Sequence, residues 1–361
     1  MRAVVFALTA QGALTARRVQ AVLPEADVFV SSRCRVSYPE ARGFLRLAEA
    51  VRENFSRYDA LIFLMATGIV VRTVAPLLRG KLVDPAVLVL DERARHVISL
   101  LSGHVGGANM LTRQLALALG SDAVITTATD VVGMLAPDAV AGCLGLSPTP
   151  HDAIVAVNRA LLAGREIIYC VESHLRLAPF YRSALRRLGL FVQMCAGDIA
   201  QVAARAEADG QVPVLITFAP VQDGRHLCLC PRRLIAGIGC RRGTTAGEIE
   251  QALCAALARI ELPPEAPELI ATTTVKKDEA GLREVAEKRQ IPLRFYERGA
   301  LQSMVDRYQL RESPFVRKTI GVGNVAEAAA LAAAGASGGS MALGKTKFEK
   351  VTVALVWQKS Q

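Results

Sequence analysis

Short apolar runs rich in β-branched residues alternate along the chain with stretches whose apolar positions recur every three or four residues. Continuous apolar runs predict strands buried on both faces, and the 3.6-residue period predicts the helices that cover them. MRAVVFALTA at the start runs directly into QGALTARRVQAVL, a strand followed by an amphipathic helix. The opening MRAVVFALTA has the look of a weak signal peptide. A cleavable apolar region stands apart from folded structure, however, and this one runs straight into a helix, so a buried first strand is expected. Further strands are expected at 58–65, 86–90, 96–101 and 123–127, with helices through IVVRTVAPLL and ANMLTRQLALALG.

At 147–152 the segment SPTPHD marks a break, with Thr149 as N-cap, Pro150 as the first helical residue and Asp152 as the third. That helix is expected to run to Gly164, and REIIYCVE returns as a strand. PVQDG at 220–224 predicts a turn before the short strand HLCLC. From Leu234 the alternation starts afresh. Strand LIAGIG leads to a helix at 246–259, strand 268–273 to 278–289, strand 292–296 to 299–307 and strand 319–322 to 325–334, with final strands near 339–343 and 350–357. The expected fold is a three-layer α/β/α architecture. It comprises an N-terminal α/β region (1–147), a middle α/β subdomain (148–231) and a separate, basic C-terminal α/β domain (232–361).

Composition narrows the function. At 52% hydrophobic and 21% charged over 361 residues, the chain has the balance of a globular protein with a sizeable core. No stretch approaches the ~20 apolar residues that span a bilayer, so no membrane partner is expected. The net charge is +10, and it is uneven: residues 1–231 carry 23 basic and 19 acidic side chains, residues 232–361 carry 20 and 14. An anionic ligand is therefore expected to meet the C-terminal part. Aromatics are only 5% with a single tryptophan, Trp357, and no Lys/Arg run is long, which argues against nucleic acid. Eight scattered cysteines without a paired framework suit reduced thiols in a cytoplasm.

Candidate chemistry gathers at four strand-to-helix junctions, where helix N-termini offer free N–H groups to anions. In MATGIVVRTVAPLL, Thr67 is a possible cap, Gly68 permits close approach and Arg72 lies a turn inside; an anion site and an ordinary capped helix both fit. In SLLSGHVGGAN (99–109), three glycines with Ser102 and His104 point to a ligand site, the alternative being that Ser102 caps and His104 bonds backbone. In ITTATDVVG (125–133), Asp130 is a general acid or base, an orienter of His104, or an Asx-turn cap. In IAGIGCRRGTTAGEIE (235–250), Thr245 and Glu248 spell a capping box, and Arg241 and Arg242 on a glycine loop suit bidentate carboxylate or phosphate capture. That loop and GVGNVA (321–326) also approach a dinucleotide fingerprint, but neither is followed by the acidic residue that binds ribose. His226, Cys228 and Cys230 alternate on one strand, which is better explained as core than as a metal site.

At these same junctions the sequence resembles the CbiG family, the cobalt-precorrin-5A hydrolases of anaerobic cobalamin synthesis. The matching blocks are MATGIVVRTVAPLLRGKLVDPAVLVLDE (65–92), VISLLSGHVGGAN (97–109), ITTATDV (125–131), GIGCRRGTT (237–245), KKDEAGL (276–282), GVGNVAEAAAL (321–331) and KTKFEKVTVAL (345–355). The family commonly reads ATDVNG where this chain has Val132, and an acidic residue often found just after is displaced here into LAPDAV. The resemblance implies a hydrolase that opens a δ-lactone on a cobalt tetrapyrrole and releases acetaldehyde, giving cobalt-precorrin-5B. It implies a polycarboxylate substrate large enough to call for a cleft between domains, leaves room for transient contact with neighbouring pathway enzymes, and requires no cofactor beyond the cobalt carried by the substrate. On this basis His104 is expected to activate water, with Asp130 sharing the proton and Ser102 nearby. The Gly106 and Gly107 N–H groups would hold the oxyanion. Thr67, Gly68, Arg72, Asn109, Arg241, Arg242, Lys276, Lys345 and Lys347 would bind substrate. A corrinoid carrier without catalysis is the alternative, and a nicotinamide-dependent enzyme a more distant one.

Overall fold

The computed structural model describes residues 1–80, 83–131, 133–221, 224–336 and 338–358. Val132, and Gln222 and Asp223 of the expected turn, lie outside the described residues. Among those described there are three sheets with helices between the strands. Chain contacts divide the protein into two units. One holds residues 2–175 and 181–230; the other holds 231–361 with Met1 and 176–180.

In the first unit a seven-stranded sheet runs in the order Arg42–Phe44, Asp27–Ser31, Ala3–Ala7, Ala60–Leu64, Ala86–Leu90, His96–Leu101, Asp122–Val124. The three central strands are buried along their whole length, as continuous apolar runs require. Alternate residues feed two cores. Val5, Ile62 and Leu88 pack on one face with the helices Ala10–Val22 and Ala108–Leu119, while Val4, Phe6 and Phe63 pack on the other with Leu47–Asn54 and Thr67–Val74. Phe6 stacks on Phe63 with ring centroids 5.4 Å apart.

Two neighbouring strands run against the rest of this layer, His96–Leu101 and, parallel to it, Asp122–Val124. His96–Leu101 is antiparallel to Ala86–Leu90, pairing Val97 with Leu90 and Leu101 with Val87, and Leu90 in turn pairs with Leu64. The turn after Leu101 therefore opens at the opposite edge of the sheet from the turn after Leu64. The expected strand at 123–127 is only Asp122–Val124, and the residues beyond it form a loop leading to the short helix Ala128–Val131.

The second sheet of this unit has the order Phe191–Cys195, Ile167–Glu172, Val212–Ile216, Leu227–Pro231, Leu146–Thr149. The expected break at 147/148 falls inside its strand Leu146–Thr149. Thr149 is thus a strand residue, and the helix His151–Leu162 has Pro150 at its N-cap with no side-chain cap. Cys228 is fully buried beside Cys170 and Cys195, and His226 bonds Glu207 Oε1 at 3.1 Å. None of the eight cysteines is in a disulfide, and burial pushes the thiols of Cys170, Cys230 and Cys240 up to about 11. Among the described residues no group of three or more His, Cys, Asp or Glu is arranged to hold a metal ion.

The C-terminal unit has the sheet order Leu293–Tyr296, Pro267–Thr273, Leu234–Cys240, Val351–Gln358, Gly339–Lys347, the first three parallel and the last two antiparallel. Cores fill both faces, around Leu234, Ala236 and Ile238 on one and Ile235, Leu269 and Ala271 on the other. The Thr245–Glu248 capping box is present at the start of Ala246–Ala258. The expected strand at 319–322 is instead the end of a helix, Pro314–Ile320, opened by Pro314 at its first position and closed by Gly321 at φ 87°. GVGNVA therefore follows a helix, and the strand that a dinucleotide fingerprint needs before it is missing.

Candidate active site

The turn after Leu101 is wound tightly. Ser102 sits at φ 58°, and a Cβ on Gly106 would lie 2.4 Å from the Ser102 Cβ and 2.7 Å from its carbonyl oxygen. The turn consumes its own donors: the N–H groups of Gly107, Ala108 and Asn109 donate to the carbonyls of His104 (2.9 Å), Ser102 (3.2 Å) and Gly103 (2.9 Å). The expected oxyanion role of the Gly107 N–H is corrected accordingly, because that donor is spent on His104. Nor does Ser102 cap the following helix, whose N-cap is Gly107.

The turn places His104 between two carboxylates. Its Nε2 lies 2.9 Å from Asp130 Oδ2 and its Nδ1 3.1 Å from Asp138 Oδ2. The side chain is 10% exposed, against 18% for Asp130 and 7% for Asp138. Thr129 Oγ1 also lies 3.4 Å from Nε2. Ionised carboxylates only accept hydrogen bonds, so the two carboxylate contacts favour a ring with hydrogen on both nitrogens, an imidazolium. The hydrogen bond to Asp138 is the main cause of its raised pKa. Burial opposes the shift, and the charge of Asp138 and contacts with Asp130 reinforce it. Burial pushes both carboxyls upward, but hydrogen bonds from His104 together with Arg113 for Asp130, and from His104 and Asn158 for Asp138, outweigh it and hold both below the usual range. In this geometry both ring nitrogens are turned to carboxylate oxygens, and the expected role of His104 as the base that activates water would require one of those contacts to open.

Asp130 is fastened from behind. Arg113 Nη2 donates to its Oδ1 at 2.9 Å and Asn109 Nδ2 to its Oδ2 at 2.9 Å. Asn109 is 5% exposed, also donates to Thr127 Oγ1 (3.0 Å), and accepts from Ser99 Oγ (2.6 Å). Its expected contact with substrate gives way to a positioning role. Ser102, His104, Thr127, Thr129, Asp138 and Asn158 are among the residues that line a cavity of about 260 Å³. Binding clefts for drug-sized ligands run to about 300–1,000 Å³. This one suits a reacting portion of a large molecule.

Two members of the cluster escaped sequence reasoning. Asp138 opens the helix Pro137–Leu144, and Asn158 comes from His151–Leu162, where its Nδ2 donates to Asp138 Oδ1 at 3.2 Å. The displaced acid in LAPDAV was the one available signal for the first; Asn158 looked like any polar residue on a helix.

The other predicted residues lie elsewhere. Thr67 is the first residue of its helix, with Ala66 as N-cap and no side-chain cap bond, and Arg72 folds its Nη1 back onto the Gly68 carbonyl at 3.0 Å. These three belong to the edge of the sheet opposite His104. In the C-terminal unit, Arg241 and Arg242 are exposed on a loop held by three bonds. Arg241 N–H donates to Lys350 O (2.9 Å), Thr244 Oγ1 to Arg241 O (2.8 Å) and Gly243 N–H to Glu279 Oε2 (3.0 Å). Lys276 is buried and paired with Glu279 at 2.9 Å, which corrects its expected contact with substrate. Lys347 is exposed and Lys345 half-buried, both near the strand end that pairs beside Gly239 and Cys240.

Comparison with known proteins places these features in a family. Residues 49–130 match the family model described as Cobalamin synthesis G N-terminal, and 234–356 that of Cobalamin synthesis G C-terminus. The chain is 39% identical over 330 residues to the Cobalt-precorrin-5A hydrolase of Salmonella typhimurium, covering 90% of each protein. The chain belongs to the CbiG family. A second CbiG relative, the Cobalt-precorrin-5A hydrolase of Priestia megaterium, is 30% identical over 361 residues, covering 97% of this chain and 93% of that one. The crystal structure of a cobalamin biosynthesis protein G homologue from Sulfolobus solfataricus shares the fold, with a TM-score of 0.60 at 21% identity over 99% of this chain and 97% of that one. Asp130 is the last residue of the N-terminal CbiG match, and Asp138 and Asn158 lie between the two matched stretches.

Proposed function

We infer that this CbiG chain is a cobalt-precorrin-5A hydrolase of cobalamin synthesis. The observation that carries the reading is 39% identity to a protein of that name across 90% of both chains. The His104 cavity is the proposed reaction site, because it is where buried charge, a concave wall and open polar groups coincide.

Water adds to the carbonyl of the substrate's δ-lactone and the ring C–O bond breaks, leaving a carboxyl and an alcohol. Loss of the alcohol proton then breaks a C–C bond and releases acetaldehyde, and the electron pair passes to the macrocycle, which takes up a proton. His104 serves as a fixed cation that stabilises negative charge developing on the lactone oxygen. Ser102, Thr127 and Thr129 supply hydroxyl and backbone contacts along the wall. Arg241, Arg242, Lys345 and Lys347 are proposed to hold substrate carboxylates, Arg241 and Arg242 in bidentate fashion. Cobalt comes with the substrate and is not assigned to a protein site. Among the described residues no helix is long and apolar enough to cross a membrane.

The test is incubation of the purified protein with cobalt-precorrin-5A, trapping volatile aldehyde and weighing the pigment. Acetaldehyde with a pigment lighter by that unit and heavier by water is the expected result. A tightly bound pigment recovered unchanged would make the protein a carrier.

A further inference from the structure

We propose that Asp138 is the carboxylate that takes the proton from the attacking water, and that Asn158 is its positioning residue; this rests on the hydrolase reading above. The sequence pointed to His104 for that task, with Asp130 sharing the proton. The two carboxylates flank the same imidazolium, yet only Asp138 is part of the cavity wall. Asp130 accepts from His104, Asn109 and Arg113, which fills three of its roughly four acceptor positions and sets a guanidinium against it. Asp138 accepts from His104, Asn158 and its own backbone N–H, and the acceptor position that remains belongs to a residue of the cavity wall, where a water can reach it. The charged and titratable groups around the pair are Asp130 and Arg113 beyond the ring and the buried phenol of Tyr169 on the side of Asp138.

The proton count closes on Asp138 alone. As the water oxygen bonds to the acyl carbon, its proton moves to Asp138. As the ring C–O bond breaks, Asp138 returns that proton to the departing oxygen. His104 takes no part in the proton transfer and keeps its bonds to the two carboxylates. Asn158 holds the Oδ1 of Asp138 while its own Oδ1 is buried without a hydrogen-bond partner among the described residues, an acceptor left open in a residue of the cavity wall.

The experiment compares full-length Asp138→Asn, Asp130→Asn and Asn158→Ala in aldehyde release, with the His104 imidazole followed by NMR as a check on folding. Asp138→Asn should lower kcat by about 10²–10⁴-fold with KM little changed, and Asp130→Asn by less than about tenfold. Asn158→Ala should lower kcat, leave KM unmoved and shift the acid limb of the pH profile upward, because Asp138 loses a donor that stabilises its charge. A folded Asp138→Asn variant within about tenfold of wild type, or an equal loss in Asp130→Asn, overturns the assignment. Should Asp138→Asn fail to fold, the acid limb of Asn158→Ala decides, and an unmoved limb overturns it. A wild-type protein that releases no aldehyde brings down the hydrolase reading itself, a result distinct from an active Asp138→Asn enzyme.

Discussion

The turns that follow Leu64 and Leu101 begin alike: each leaves a strand of the same sheet, carries glycine, and opens a helix. They end differently. After Leu64, the guanidinium of Arg72 bends back to the Gly68 carbonyl, and the turn faces the edge where the parallel strands terminate. After Leu101, the chain has reversed, and its turn meets the loop and helices that lead into the second sheet, so His104 finds a carboxylate on each side. Glycine at a helix start thus says little about chemistry. What distinguishes the second turn is the set of acidic and amide groups that other elements bring to it.

The largest expected difference between the turns is catalytic. His104→Ala should cost about 10²–10³-fold in kcat, the scale of losing a preorganised charge, while Arg72→Ala should leave turnover nearly unchanged. Aldehyde release measures both, and comparable losses would merge the two edges into one functional surface. The next difference is steric. Gly106→Ala must displace Ser102 backbone and should destabilise by about 1–3 kcal/mol. Gly68→Ala meets only the movable end of Arg72, at 3.2 Å, and should be neutral or gain up to about 1 kcal/mol from helix propensity. Denaturant titration separates the two, and an equally tolerated Gly106→Ala would mean the turn is looser than its geometry says.

The smallest effect is in pH dependence. The folded pKa of His104 is raised above the ordinary 6.5, so its stabilisation is fully present below that value and is lost as pH rises through the raised one. Asp130 and Asp138 have folded values below 3.8, so theirs is present above 3.8 and is lost as pH falls through the lowered values. Melting temperature should therefore decline on the alkaline side in wild type and decline less in a His104→Gln variant. Parallel curves would show that the ring is not held as a cation.

Much of the fold could be read locally. The buried central strands, the helix after SGHVGGAN and the Thr245–Glu248 capping box depend on neighbours in sequence, and period and capping chemistry report those directly. The reversal of His96–Leu101 was also within reach, since residues 91–95 are too few for the dozen or more residues that a parallel crossover needs. The helix at Pro314–Ile320 was missed because its β-branched VRKTI mimics a strand, while Pro314 and Gly321 at its ends carried the better signal. His104 and Asp130 stood out because each lies in a turn with few other reasons to be polar. Asp138, Asn158 and the pairing of Lys276 with Glu279 did not. Their meaning comes from which elements pack together, and single-residue chemistry is silent on that.

The second clamp on His104 and the amide that steadies it come from the helices on either side of Leu146–Thr149, in the stretch between the two CbiG-matched segments. A chimera that swaps in this stretch from a distant homologue would inherit a new proton inventory at an unaltered histidine. Grafts that preserve the Asp138–Asn158 couple should work as interchangeable cassettes, and those that lose it should yield well-folded proteins with idle catalytic centres.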